Sequence, residues 1–476
     1  MQPQQIDAGL RTVIEQSAAD AANGNNYSGY MAYWQKQKNG LFKSDSTGEM
    51  VTVQVQEYPK YFYIRDSSKF WQSEMDDYLE KKDLVIRSRS NFNYPDGTKG
   101  YSFSLQDTGS SRVIRRMILL KDRYMYTITT IADTLNKPSA FINSFFGSFT
   151  PYYTGLATDL YQNRLPEFFS DLFSTDSALH KKAQQSIANI YFGTAGAPML
   201  YNAINRLSFA DKDYFDSKTK MIAELGYIKD SVTDEVPLYL KKIYEQTADT
   251  SLFQNEAIKA LARLKTKTAY RILKDIILQD PPVFEDGDYG DIFEHFEDTL
   301  SLSAQLFPDL LKLASLEDYK QHVTELLVTL VDSGFVQAKE YRNYFSSIYI
   351  DAKVAQKKQQ AKDEKIMRAD KKNSEDDDDD NDYVVSRGRY NNASFGLDDY
   401  GILMMPFYEK DKNVRQYFDK LLRSKDETVR MNTAVLLLRN QKEVPDSIFN
   451  SLAADDKFRG ALYDKLERAK RLDRFP

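Results

Sequence analysis

Hydrophobic periodicity changes once along this chain, and that change limits what it can fold into. Apolar residues alternate in Met50-Val51-Thr52-Val53-Gln54-Val55 and recur in short strand-length runs at Leu84–Phe92, Gly100–Leu105, Arg112–Leu120 and Tyr124–Ile131. From about Pro151, and nearly throughout 158–349, they recur every three to four positions instead. A period of two marks a half-buried strand and a period near 3.6 an amphipathic helix. The last four strand-like runs are separated by Tyr94-Pro95-Asp96-Gly97, Asp107-Thr108-Gly109 and Lys121-Asp122, which predicts an antiparallel meander. Tyr61-Phe62-Tyr63-Ile64, after Pro59, reads as one more strand. Asp66-Ser67-Ser68 predicts the cap of a helix carrying Phe70, Trp71, Met75 and Tyr78. A helix from near Pro138, carrying Phe141, Ile142, Phe145 and Phe146, is expected to close the sheet. The first part is therefore α+β, an antiparallel sheet with flanking helices.

The helical part contains three related Ala- and Leu-rich segments: Lys182–Ile190, Glu256–Leu264 and Val429–Leu438. Each precedes a short turn and a second apolar helix, at Met199–Ile204, Ala269–Ile277 and Ser447–Leu452. A helix pair of this kind leaves an apolar face that only the next pair covers, which is the logic of a solenoid. Asp426-Glu427-Thr428-Val429-Arg430 resembles the HEAT-repeat pattern of an acidic cap followed by Arg. Residues 353–372 hold eight Lys or Arg against three acids, followed by Glu375 and Asp376–Asp380. Charge blocks of this sort predict a solvated insertion, its basic half extending a helix from Tyr344 and its acidic half without order; the alternative is an electrostatic docking tail. The expected division is a lead-in over 1–26 with a helix at 6–22, a sheet domain over 27–153, an all-α HEAT-like solenoid over 154–352, the charged insertion over 353–392, and further repeats over 393–476.

A net charge of −6 argues against a nucleic-acid partner, whose binding sites are basic. The chain has no cysteine, which removes disulfides, thiolate zinc sites and thiol catalysis. Met1–Asp20 lacks a basic start followed by an apolar run, so no signal peptide and a soluble chain are expected. No run of some 18 apolar residues occurs, so no membrane span is expected. Gly-x-Ser-x-Gly, Walker and Rossmann glycine patterns are missing, and no cofactor or catalytic residue is expected. Gly193-Thr194-Ala195-Gly196 reads as a tight turn between paired helices.

Three constellations carry candidate chemistry or binding. Asp286, Asp288, Asp291 and Glu297 occupy positions one, three, six and twelve of a run resembling an EF-hand calcium loop. Position five is Gly290 and position six is Asp291 where a glycine is needed; the plainer reading is an acidic inter-helix loop in which Asp291 caps the helix Ile292–Thr299. His295 lies among Glu294, Glu297 and Asp298, and reads as a surface histidine on a charged helix, as do His180 and His322. The aromatic segment with Tyr58, Tyr61 and Tyr63, together with Arg115 and Arg116, offers an interaction surface, since Tyr and Arg concentrate at binding hot spots. Strand alternation places half of those aromatics in the core.

Gly100-Tyr101-Ser102-Phe103, Arg112–Leu120, Tyr124–Ile131 and Phe141-Ile142-Asn143-Ser144-Phe145-Phe146 together resemble the PsbP-like fold. That resemblance implies a non-enzymatic binding or assembly module at an envelope or organelle membrane. Pro406-Phe407-Tyr408, Asp426–Asn440 and Pro445-Asp446-Ser447 resemble the C-terminal region of TraB/GumN-containing proteins of Bacteroidetes. The Gly-x-x-His motif of that family's catalytic core is missing, so the resemblance implies an accessory, periplasmic or envelope region without the enzyme. The functions expected are a protein-interaction scaffold, the accessory part of an envelope hydrolase, or a calcium-dependent protein using the acidic loop.

Overall fold

The computed structural model describes residues 36–79, 84–135, 138–151, 159–228, 234–284, 289–375 and 396–476, with the side chains of 36, 75–79, 289–291 and 369–375 outside that description. The lead-in helix expected at 6–22 lies outside the described residues. The chain divides into two compact units, Met1–Glu224 and Leu225–Pro476.

In the first unit β1 (Lys36–Lys43), β2 (Met50–Glu57), β3 (Leu84–Asn93), β4 (Lys99–Asp107), β5 (Arg112–Lys121) and β6 (Tyr124–Asp133) form one sheet in the order β1-β2-β6-β5-β4-β3. Every neighbouring pair is antiparallel. The predicted meander is present, and its turns show why. Gly97 adopts φ +84° and Asp96 Oδ1 accepts from Thr98 N at 3.0 Å. Asp107 accepts from Gly109 N at 2.9 Å and Ser110 Oγ at 2.8 Å. Asp122, at φ +54°, opens the two-residue turn between the paired residues Lys121 and Tyr124. Left-handed backbone at such a turn matches the twist of the strands it joins.

The sheet is packed on both faces. Tyr101, Phe103, Leu105, Ile118, Leu120 and Met125 meet Trp71 of α1 (Ser67–Leu79) and the segment around Tyr58 and Ile64. Val51, Val53, Met117, Leu119 and Ile128 meet Phe141, Phe145 and Phe146 of α2 (Ala140–Ser148), whose cap is Ser139. Asp66 caps α1 as predicted, accepting from Lys69 N at 3.0 Å.

Two strand expectations require correction. Tyr61–Ile64 is not a strand: Pro59 has no N–H to give a ladder, and Phe62 N turns back to Pro59 O at 3.1 Å. β1 went unread because Lys38-Asn39-Gly40 masks its alternation, although it pairs with β2 along its whole length.

The segment after β2 instead fastens the first helices to the sheet. Tyr58 N donates to Arg123 O at 2.7 Å and Ile64 N to Leu160 O at 2.6 Å. Asp171, on α3 (Leu165–Leu172), is 9% exposed and accepts from Lys60 Nζ at 2.5 Å and Tyr61 Oη at 2.8 Å. Burial works against the Asp171 carboxylate, and the hydrogen bonds from Lys60 and Tyr61 outweigh it, holding its pKa below the ordinary value. Glu167, one turn earlier, takes Lys60 at 3.2 Å and Arg164 at 3.1 Å.

Helices α4 (Ser177–Ser186), α5 (Gly193–Arg206) and α6 (Tyr214–Leu225) follow. Gly193 and Gly196 begin α5 and do not form the turn that was expected. A Cβ on Gly196 would lie 3.0 Å from Phe192 Cβ and 3.1 Å from Leu165 Cδ1, so this glycine permits a close helix approach.

The second unit is helical: α7 (Glu235–Gln246), α8 (Ser251–Leu264), α9 (Lys267–Gln279), α10 (Tyr289–Glu297), the single turn α11 (Leu300–Ser303), α12 (Glu317–Asp332), the single turn α13 (Ala338–Tyr341), α14 (Phe345–Glu375), α15 (Leu397–Met404), α16 (Lys412–Leu421), α17 (Glu427–Arg439), α18 (Asp446–Ala454) and α19 (Asp456–Arg468). Asp426 caps α17 as the sequence suggested, accepting from Thr428 N at 3.0 Å and Val429 N at 3.3 Å. Asp291 does not cap a helix at Ile292, because α10 already begins at Tyr289.

The basic half of the expected insertion is α14 itself, and it is not simply solvated. Ala352, Gln356 and Gln359 are buried, and Gln356 Nε2 donates to Tyr417 O at 2.9 Å. The acidic half, 376–382, lies outside the described residues.

Replacing Asp171 leaves Lys60 and Tyr61 without their shared acceptor in a poorly solvated place. Asp171→Ala is expected to cost about 3 kcal/mol in urea unfolding. Asp171→Asn, which still accepts from Tyr61, is expected to lose less.

Candidate functional site

Carboxylates that no cation neutralises fully gather in the second unit, where α12, α14 and α15 pack. A cleft of about 160 Å³ opens between α12 and α15, lined by Glu317, Lys320, Gln321, Thr324, Glu325, Gly396, Asp399 and Tyr400. Gly396, at φ +87°, sets the entry to α15, and this puts Asp398 and Asp399 in its first turn. Lys320 Nζ reaches across to Asp351 Oδ1 of α14 at 2.8 Å.

The electrostatics follow from burial. Asp399 is raised above the ordinary aspartate value, first by burial and then by the charge of Glu325. Burial raises Asp398 as well, although it accepts from Asn432 Nδ2 at 2.5 Å. Burial followed by Asp351 and Asp399 pushes the Tyr400 hydroxyl up to about 12. On the far side of Glu325, Glu297 is raised by burial and then by Glu325, Glu294 and Asp298. His322 Nδ1 stands 3.7 Å from Glu325 Oε2, with its ring stacked on Phe293 at 5.4 Å between centroids. Shifted carboxylates flanking a cleft are a signature of functional sites. This arrangement suits a cationic group better than an anionic one, since a positive charge would relieve the repulsion. Among the described residues no three His, Asp or Glu side chains converge to hold a metal ion.

The residues singled out from sequence do not assemble into this site, apart from Glu297 at its margin. Asp286 and Asp288 lie outside the described residues, and Asp291 is placed only by its backbone, inside α10. Tyr58 and Tyr61 are 3% and 1% exposed and so present no surface. Tyr63 is half-buried. Arg115 and Arg116 cannot form one patch, because successive strand residues face opposite sides. Arg115 lies 5.1 Å from the Phe146 ring of α2, whereas Arg116 approaches Glu74 of α1 at 3.8 Å.

Of the histidines, His180 Nδ1 meets Leu172 O at 2.5 Å. His295 is depressed first by burial and then by Arg263, with Asp298 opposing. What the sequence did not reveal was Asp399 beside Glu325: they are 74 positions apart and come together only through helix packing.

No protein-family model matches the chain, and no curated protein matches it. A solved structure described as lipid-protein interactions in lipovitellin is similar over 88% of this chain, at 9% identity and a TM-score of 0.24. The chain spans 43% of that structure's length. A likeness at that score carries no argument about fold or function.

The raised Asp399 gives a pH test. Its folded value lies above the ordinary 3.8, so the unfolded chain releases its proton first as pH rises. The stability it contributes is full below the ordinary value and is lost as pH climbs to the folded one. Asp399→Asn is therefore expected to melt above wild type at pH 7 and level with it at pH 3. A lower melting temperature at pH 7 would show that the carboxylate makes a net favourable contact.

Proposed function

We propose that this is a non-enzymatic interaction protein in which the second unit is a degenerate HEAT-like stack offering its surfaces to a protein partner. The observation that supports the stack is its packing order. α7 packs on α8, α8 on α9 and α10, α10 on α12, α12 on α15, α15 on α17, and α17 on α18 and α19. Each helix meets its close successors, as in quasi-one-dimensional repeats. The six-stranded antiparallel sheet, with its four-stranded meander and a Phe-rich helix across one face, supports the PsbP-like reading of the first unit, a module class that works by binding.

Close approach between repeats depends on small residues. Gly401 of α15 faces α17, and a Cβ there would lie 3.0 Å from Leu436 Cδ2 and 3.6 Å from Phe418 Cε1. Gly401→Val is expected to destabilise by about 1–3 kcal/mol through overpacking. In a stack the damage stays local, so amide exchange should rise from α14 to α19 while α7–α9 keep their protection. A uniform rise across the whole unit would argue against repeat-like stacking.

The interaction reading is tested with the intact chain as bait in its source cell. Saturable capture of a protein, competed away by excess untagged chain, is expected. No capture would reject it, and turnover of a small molecule would reject its non-enzymatic part.

A further inference from the structure

The two faces of α14 do different things. One is fastened to the last helices through Ile348, Ala352, Gln356 and Gln359, at three- and four-residue spacing. Its final tie is Asp363, which accepts from Ser424 Oγ at 3.0 Å. Beyond Asp363, residues 364–368 are exposed on every side while the helix continues to Glu375.

The opposite face carries Ile350, Val354, Lys357, Ala361, Lys365 and Arg368. Ile350 is 61% exposed and Val354 48%, and the other four are exposed as well. Positions 350, 354, 357, 361, 364 and 368 are separated alternately by four and three residues, the spacing of a coiled-coil seam. Lys358 and Lys362 border it, and among its described side chains the acid is Glu364, 3.9 Å from Arg368. The neighbouring α16 adds Lys420. Burial first, then Lys420 and Lys357, hold Lys353 below the usual lysine value, as expected where positive charge accumulates.

We propose that this outer face of α14 docks an acidic amphipathic helix of a protein partner, apolar opposite Ile350 and Val354 and carboxylate-rich opposite Lys357, Lys365 and Arg368. The proposal rests on the interaction reading above and adds the chemistry of the partner. Charge complementarity supplies the choice of occupant. A membrane surface fits less well: its helices keep cations at the flanks of an apolar face, whereas here Lys357 and Arg368 lie in line with Ile350 and Val354. Nucleic acid also fits less well, because the acidic run Glu375–Asp380 follows the basic face directly in sequence.

The test uses the full chain and a fluorescein-labelled helical peptide with Leu at the first two seam positions and Glu at the later ones. Anisotropy should report saturable binding that weakens as salt rises from 50 to 300 mM, by roughly the screening expected for exposed charges. The triple variant Lys357→Glu/Lys365→Glu/Arg368→Glu should bind about tenfold more weakly, three exposed ion pairs being reversed. Ile350→Ser/Val354→Ser should also weaken binding, with unchanged thermal melting in both variants.

Equal binding by the triple variant would overturn the proposal. So would equal affinity for a scrambled peptide of the same composition, or preferential binding of phosphatidylserine vesicles or duplex DNA through the same residues. The source-cell capture separates the two readings. If the triple variant still captures the partner, this docking face is wrong and the interaction reading stands. If neither form captures a protein, the interaction reading itself fails.

Discussion

The first unit depends on one carboxylate. Asp171 is largely removed from water and survives as an anion because Lys60 and Tyr61 both donate to it. Neither donor is part of a regular element, and so the interaction determines the course of the chain after β2. With Lys60 and Tyr61 held, Tyr58 and Ile64 are drawn onto the face of the sheet that also receives Trp71. Leu160 joins the same cluster, which brings the chain leading into α3 against the sheet. The first helices after the strands therefore belong to the sheet's unit, which extends to Glu224. Losing a buried ion pair costs more than its net contribution, because the surviving charge stays desolvated.

Elements governed by local rules were legible in the sequence. The meander was visible because each turn carries its own chemistry: Gly97 and Asp122 take left-handed backbone, and Asp96 and Asp107 bind the turn amides. The caps at Asp66 and Asp426 were readable for the same reason. The failures came where tertiary packing overrides local pattern. Tyr61–Ile64 has the composition of a strand, yet its aromatic rings serve as anchors for a loop. β1 has a poor strand composition and is held by its pairing with β2 and by Phe42, whose ring packs on Phe145. Gly193 and Gly196 carry a turn signature, but the helix tolerates them because neighbouring side chains fill the space a Cβ would need.

The candidate site was less legible than the fold. Glu297 was noted for its place in an acidic loop, while what sets it apart in the structure is burial, followed by the charge of Glu325, both raising its pKa. Asp399 and Tyr400 carry no motif, and nothing in their immediate neighbours distinguishes them from the other acids of a charge-rich chain. Their character comes from burial between α12, α14 and α15, a property of three helices brought together from separate stretches of sequence. Sequence reveals charge and spacing directly, whereas desolvation, which dominates the shifts here, exists only after packing.

α14 shows how one composition can satisfy two opposite demands. Its run of Lys and Gln looks like a solvated block because the mean hydropathy is low throughout. Gln356 and Gln359 are nevertheless buried, because amide side chains can meet backbone and carboxylate groups where lysines would carry uncompensated charge. Lys357, Lys365 and Arg368 fall on the other side of the same helix, Lys357 and Arg368 at the seam spacing and Lys365 beside it. A helix needed only for packing against the following helices could end where its inner face runs out, near Asp363. Continuing for twelve further residues to Glu375 retains helix that makes no return in burial up to Arg368, and the outer stripe runs through that extension. The extension and the stripe are thus one feature, and a partner helix lying along it would provide the burial that the described residues of the chain do not.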